Sequence, residues 1–208
     1  MNRWVQLDRG PVPGTESTMS LLQNGKELAI FVDERQLMSS LIHGSEDALA
    51  DLAADRVGAR EDACFLVGGL GMGFTLAQAL RRLGPDGRVV VAELVPSIVK
   101  WNRGPLGPVA GRPLDDPRAS VALGDVADAI RGEPGRWDAI LLDVDNGPTG
   151  LTRATNNWLY SPAGLMAARE ALRPGGVLAV WSAWPDAAFT RRMQRAGFEV
   201  DVVEVRSR

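Results

Sequence analysis

The chain has 208 residues, of which 45% are hydrophobic, so it is long enough for one globular domain with a core and a smaller extension. Its net charge of −3, without a basic run or interleaved aromatic residues, argues against a nucleic-acid-binding surface. No apolar stretch approaches the roughly 18 residues of a membrane helix, and the first residues lack a signal peptide's apolar segment, so we expect a cytoplasmic protein. One cysteine and one histidine exclude a disulfide framework within the chain and give no zinc pattern, so we expect no metal.

A β-rich extension is predicted over residues 1–44. Residues 3–8 alternate in the manner of a strand, and residues 17–23 and 26–32 flank Asn24-Gly25, a strong hairpin signal. A sheet of two or three strands is marginal alone and must pack on the rest of the chain or on a second subunit. We therefore expect a lid or a dimer interface here, and a homodimer.

Residues 64–93 predict a strand, a glycine turn, a helix and a second strand, which is a β-α-β unit. The apolar residues 64–67 form the first strand, and the glycine-rich residues 68–73 form a turn too tight for side chains. Such a turn lets a ligand approach the backbone and the helix N-terminus. Glu93 ends the second strand, where an acidic side chain can bind a ribose diol. The alternatives are a tight connection without ligand and, for Glu93, a solvated carboxylate.

The glycines also bear on the kind of nucleotide. Gly69, Gly71 and Gly73 read G-x-G-x-G, with Phe74 where the dinucleotide pattern G-x-G-x-x-G requires its last glycine. A nicotinamide oxidoreductase is therefore disfavoured.

Strands and helices alternate through the remainder of the chain, in the domain predicted over residues 45–208. Upstream of the β-α-β unit, Ser45 is the predicted N-cap of a helix that ends near Gly58. After the unit, the predicted elements are a helix over 96–102, a proline-rich loop over 103–118, strands over 120–123 and 137–142, a helix over 161–172, a strand over 177–181, a helix over 186–196 and a final strand over 198–205. This order predicts an α/β fold, a doubly wound and mostly parallel sheet with a small N-terminal β-hairpin extension.

Ligands of such sheets bind at the carboxyl ends of the strands. Gly69, Glu93, Asp125 and Asp143 each follow or end a predicted strand, so the topology brings them to one edge of the sheet. Their convergence is stronger support for a site than any one of them.

With these residues assembled, the chain resembles the spermidine synthase family, within the class I S-adenosylmethionine-dependent methyltransferase fold. VGGLGMGF resembles the family's glycine loop, VVVAEL its acidic strand, and DDPR followed by Gly124-Asp125 its DPR and GD segment. WDAILLDVDNGP resembles its catalytic loop, and LRPGGVLAVWSA its L-x-P-G-G strand.

The resemblance implies roles for particular residues. Glu93 would bind the ribose, Asp125 the adenine amine and Asp143 would be the catalytic acid, with Asp145 and Asn146 in the same loop. Gln36 and Glu46 would face the ligand from an N-terminal lid. The full set of implied cofactor-binding residues is Gln36, Glu46, Gly69, Leu70, Gly71, Gly73, Glu93, Asp125 and Val126.

The departures from the family pattern all fall in the substrate site. Leu70 stands where the family has an aspartate for the free amine of decarboxylated S-adenosylmethionine, and Asn146 replaces the aspartate for the acceptor polyamine. Leu41 and Ile42 stand where the lid carries an acidic pair. A polyamine is recognised largely through paired charges, so an unmodified spermidine synthase activity is questionable.

Two functions of different class follow. The first is a transferase that moves a methyl or aminopropyl group from S-adenosylmethionine or its decarboxylated form, as co-substrate, to a small acceptor, expected to be an amine. The second is a catalytically silent nucleotide-binding or assembly protein that retains the fold.

Overall fold

A computed structural model describes residues 3–143 and 158–205 of the chain. Its N-terminal part is an antiparallel sheet with the strand order β1-β2-β3-β4. The strands are β1 (Val5–Pro11), β2 (Thr18–Asn24), β3 (Glu27–Val32) and β4 (Arg35–Ser39). The predicted hairpin is confirmed, but Asn24 pairs with Glu27, so the two-residue loop is Gly25-Lys26 rather than Asn24-Gly25. Gly25 takes a φ of 61°, which a glycine adopts without strain.

The second sheet is parallel throughout and has five strands in the order β7-β6-β5-β8-β9. Its strands are β5 (Cys64–Gly68), β6 (Arg88–Glu93), β7 (Ala119–Leu123), β8 (Trp137–Leu142) and β9 (Leu172–Val180). β5 lies at the centre, and the chain order reverses on either side of it. The predicted α/β fold, a doubly wound parallel sheet with an N-terminal antiparallel extension, is confirmed.

Helices cover both faces of the parallel sheet. They are α1 (Gly44–Val57), α2 (Phe74–Arg82), α3 (Pro96–Arg103), α4 (Val126–Arg131), α5 (Pro162–Ala171) and α6 (Ala187–Arg195). Successive side chains of a strand point to opposite faces. Phe65 of β5 accordingly packs with α1, α2 and α3 in one apolar core, and Leu66 packs with α4, α5 and α6 in the other. Within the described residues, no helix has the length and apolar character that crossing a bilayer requires.

The N-terminal sheet packs on α3. The Asp8 carboxylate accepts hydrogen bonds from Lys100 Nζ and Trp101 Nε1, both at 2.8 Å. Gly10 lies so close to Ser97 that a Cβ on the glycine would come within 1.9 Å of the serine hydroxyl. Because apolar residues of β2 and β3 also enter the first core, the marginal sheet is stabilised by the main sheet's helices.

Several predicted elements were wrong in detail. The extension has four strands rather than two or three. The helix predicted from Ser45 begins at Gly44 after His43, and the Ser45 hydroxyl hydrogen-bonds to Glu46 instead of capping the backbone. β9 begins five residues earlier than predicted, α4 was not predicted, and residues 198–205 form no strand. The loop over residues 103–118 contains two short 3-10 helices.

Candidate functional site

A cleft of about 780 Å³ lies between the N-terminal sheet and the carboxyl ends of the parallel strands. The residues predicted from the sequence that line it are Gln36, Glu46, Gly69, Gly71, Glu93, Asp125, Val126 and Asp143. Leu70 and Gly73 do not line it. Asp145 and Asn146 lie outside the described residues. The sheet edge therefore brings together most of the predicted site.

Three left-handed glycines shape the loop between β5 and α2. Gly69, Gly71 and Gly73 have φ values of 89°, 50° and 88°, in the region that side chains rarely adopt. A Cβ on Gly71 would come within 2.8 Å of the Met38 side chain, so β4 lies directly against the loop. Leu70 is buried in the core, and only its backbone N–H faces Glu93. The glycines thus serve both the turn and the close approach of the N-terminal sheet.

Glu93 holds the glycine loop through one carboxylate oxygen and the turn before α3 through the other. Oε2 accepts the N–H of Leu70 at 2.8 Å, and Oε1 accepts the N–H of Val95 at 2.7 Å. The side chain is 7% exposed, and burial raises the pKa of Glu93 although these backbone donors favour the ionised form. Glu93 also lines the cleft.

Asp125 follows β7 and caps the next helix. Its Oδ1 accepts the N–H of Ala127 at 2.9 Å, which satisfies one of the free donors in the first turn of α4. The neighbouring Val126 packs against Gly68, where a Cβ would come within 3.0 Å of the valine side chain. The helix cap fixes the carboxylate, and Oδ2 is left for a ligand.

Asp143 stands directly after β8, beside the start of α2. The Thr75 hydroxyl donates to its Oδ2 at 2.8 Å. Burial raises the pKa of Asp143 to about 6, against the Thr75 hydrogen bond, and the charge of Glu46 raises it further. Thr75 was not predicted as a site residue, because its role depends on α2 packing beside β8. A hydroxyl directly after the glycine turn was the one available signal.

The cleft is strongly acidic. The carboxylates that line it belong to Asp33, Glu46, Glu93, Asp125 and Asp143, and among the described lining residues the single cation is Arg35. Such a surface attracts a positively charged ligand. Trp181 also lines the cleft, and an aromatic face suits a sulfonium or ammonium group. Among the described residues, no three His, Cys, Asp or Glu side chains are grouped to hold a metal ion.

These features define an α/β protein with a doubly wound parallel sheet and an acidic cleft at the carboxyl edge of that sheet. Solved spermidine synthases share this fold, so the resemblance found in the sequence is confirmed at the level of the fold. No protein-family model matches the sequence.

Three solved structures are similar to the chain. A spermidine synthase in complex with the transition-state analogue AdoDATO is 18% identical over 92% of this chain, with a TM-score of 0.75. Spermidine synthase from Thermotoga maritima is 17% identical over 92% of the chain, with a TM-score of 0.71. A probable spermidine synthase from Corynebacterium glutamicum ATCC 13032 is 16% identical over 82%, with a TM-score of 0.54. In each case the chain spans 64% of the solved protein's length.

Proposed function

We propose that the protein is a transferase that moves a methyl or aminopropyl group from an S-adenosyl sulfonium donor to a small amine. The observation that carries the proposal is the meeting of Glu93, Asp125 and Asp143 in one acidic cleft beside the glycine loop. The solved spermidine synthase with AdoDATO supports a donor of this chemistry in a protein of the same fold.

The donor's nucleoside would lie along β6 and β7. Glu93, which lines the cleft, accepts its ribose hydroxyls. Each such charge-assisted hydrogen bond is worth roughly 1.5–3 kcal/mol. Asp125 Oδ2 accepts the exocyclic amine of adenine, while its Oδ1 remains on the helix cap.

The transfer is a direct displacement. The lone pair of the acceptor nitrogen forms a bond to the carbon next to the sulfonium, the C–S bond breaks, and its electron pair makes the sulfur a neutral thioether. The nitrogen gains a carbon and must lose one proton. Because the sulfonium is already a good leaving group, the protein contributes alignment and charge rather than a covalent intermediate.

Asp143 would orient the amine and accept its proton. An amine with a pKa near 10.4 pays roughly 4–5 kcal/mol for its neutral form at pH 7, so a nearby proton acceptor matters. Oδ1 of Asp143 is available for this, since the Thr75 hydroxyl bonds to Oδ2. At pH 7 a carboxyl with a pKa of about 6 is mostly ionised.

Methyl and aminopropyl transfer remain alternatives. AdoDATO binding by a solved relative of the fold favours the decarboxylated donor. Leu70 favours the intact donor, because its buried apolar side chain places no carboxylate there to repel the donor's own carboxylate. The silent nucleotide-binding protein stays the alternative of a different class.

The test is product analysis with each donor and a panel of amines, followed by mass spectrometry. We expect the acceptor to gain the mass of one methyl or one aminopropyl group, and Asp143→Asn to lower the rate by at least about a hundredfold. The control is Asp128→Asn, an exposed carboxylate on α4 outside the cleft. Donor binding without transfer to any amine would leave the silent protein as the better reading.

A further inference from the structure

Arg35 is a basic side chain in an otherwise acidic cleft. It opens β4 and pairs across the strands with Val32, which also lines the cleft. Its side chain is exposed, and no described carboxylate lies within ion-pair distance of its guanidinium. Among the described residues Arg35 is thus a cation without an ion-pair partner, in a cleft lined by five carboxylates, and it can bind an anionic group of the ligand.

The position of β4 places this arginine beside the space proposed for the donor. Met38, on the same strand, contacts the glycine loop at Gly71. Arg35 lies three positions before Met38, and the pairing of β4 with β3 shifts register between Gln36 and Met38, so the stretch is not a regular strand. Arg35 and Met38 both line the cleft, so the arginine borders the space that a ligand over the loop would occupy.

The charge pattern disfavours a simple diamine. A diamine carries a cation at both ends, and one end would approach the Arg35 guanidinium. Ile42, an apolar side chain that offers no charge to a second ammonium, lines the same cleft. A ligand with both an ammonium and a carboxylate fits better, since acidic residues accept the first and an arginine binds the second in a bidentate pair.

We propose that Arg35 selects a ligand that carries a carboxylate beside its cationic group. The inference rests on the proposed transferase function and names the substrate class of the same cleft. Two ligands have this chemistry: the donor, if it is intact S-adenosylmethionine, and the acceptor, if it is an amino acid. Decarboxylated S-adenosylmethionine and polyamines lack the carboxylate.

Matched pairs test this by calorimetric titration. S-adenosylmethionine is compared with its decarboxylated form, and ornithine with putrescine in the presence of methylthioadenosine; the members of each pair differ by one carboxylate. The proteins are the wild type, Arg35→Gln, Arg35→Lys and the control Arg103→Gln, an exposed arginine outside the cleft.

We expect Arg35→Gln to weaken the carboxylate-bearing member of one pair by about 10- to 100-fold, which is the range of a charge-assisted hydrogen bond. The member of the pair that lacks the carboxylate should bind as tightly as before or more tightly. Arg35→Lys should recover part of the lost affinity, and Arg103→Gln should leave the affinity for both members unchanged. An effect in the donor pair assigns the carboxylate to S-adenosylmethionine, and one in the acceptor pair assigns it to an amino acid.

The outcomes also separate this inference from the function on which it rests. If neither donor binds the wild type, the transferase proposal fails and the Arg35 inference fails with it. If a donor binds but Arg35→Gln affects both members of each pair equally, the transferase proposal stands and the role of Arg35 is refuted. Circular dichroism of each variant checks that the exposed substitution leaves the fold intact.

Discussion

Asp143 combines two properties that oppose each other. It is a carboxylate enclosed at the end of a buried strand, and the proposed reaction requires it to be ionised. Thr75 supplies one hydrogen bond to the charge, and Glu46 adds a second negative charge that opposes it. A cationic ligand in the cleft offsets this repulsion, so the ionised form of Asp143 is more stable when the ligand is bound than when the cleft is empty.

The first prediction at this residue is a pH dependence of the rate. Since the pKa of Asp143 is raised to about 6 in the protein without ligand, we expect kcat/KM for the donor to fall as the pH drops through 6, with the slope of a single proton. Asp143→Asn should lose most activity and also lose this acidic limb. The measurement is kcat/KM for the donor between pH 5 and pH 8. A wild-type rate that stays flat down to pH 5 would contradict the role as proton acceptor.

The second prediction is that Asp143→Asn stabilises the folded protein at neutral pH. The folded pKa of about 6 lies above the ordinary value of 3.8, so the folded state binds this proton more tightly, and stability at this site rises as the pH falls from 7 towards 4. Removing the ionised group should raise the free energy of unfolding on the order of 2–3 kcal/mol near pH 7.5. Urea denaturation should show the gain shrinking towards pH 4, and a destabilised variant at pH 7.5 would refute the raised pKa.

At the scale of elements, the glycine loop and α2 form one unit held by contacts to α3. Gly73 precedes α2 with a φ of 88°, and a Cβ there would come within 2.9 Å of Asn102 Oδ1. The same asparagine donates to the Gly71 carbonyl at 2.8 Å. A displaced Asn102 would therefore also release the loop that faces the ligand.

We expect Gly73→Ala to destabilise the protein by about 2–4 kcal/mol, from the left-handed backbone and the clash together. Gly111→Ala is the matched control, because Gly111 has a φ of 77° but no atom within 4 Å of its Cβ position. It should cost about 1 kcal/mol. Urea denaturation of both variants, together with donor titration, measures the cost of the clash as the difference between their losses in the free energy of unfolding. Equal losses would show that Asn102 moves aside without cost.

The sequence predicts most reliably the features that depend on local pattern and on the order of the strands. Glu93, Asp125 and Asp143 could be placed at one edge because each follows an apolar run, and parallel strands end at a common edge. Met38 and Arg35 could not be assigned to the cleft, since their places depend on how the N-terminal sheet packs on α3. Their strand, β4, follows a turn in which Asp33 takes a left-handed φ of 53°, which the sequence does not signal.

For residues 198–205 the sequence pattern predicts an element that the structure does not contain. Residues 198–205 alternate apolar and acidic side chains, which is typical of a strand, yet they form none. Strand propensity reflects packing against neighbours and is weak without them. In the described part of the chain, the parallel sheet ends at β9, and Val202 and Val203 remain exposed.

At the scale of the whole molecule, the two ends of the parallel sheet have different tasks. The carboxyl end carries the cleft, and the amino end carries a buried ion cluster centred on Asp138 at the start of β8. Its fully buried carboxylate accepts from the guanidinium of Arg60, from Arg173 Nη1 at 2.8 Å and from the N–H of Cys64 at 2.8 Å.

The expected homodimer stays a prediction, which light scattering at two protein concentrations can test.

The division between the two ends predicts that stability and donor binding can be separated by mutation. Asp138→Ala leaves two arginines and a backbone N–H without their acceptor, so we expect a loss of about 3 kcal/mol in the free energy of unfolding. Asp128→Ala, which removes an exposed carboxylate 3.3 Å from Arg131, should cost less than about 1 kcal/mol. Below the unfolding transition, both variants should bind the donor within about twofold of the wild type, because neither touches the cleft. A donor affinity that falls with stability in Asp138→Ala would mean that the ion cluster positions the catalytic edge through β8, and the two ends would then have to be treated as coupled.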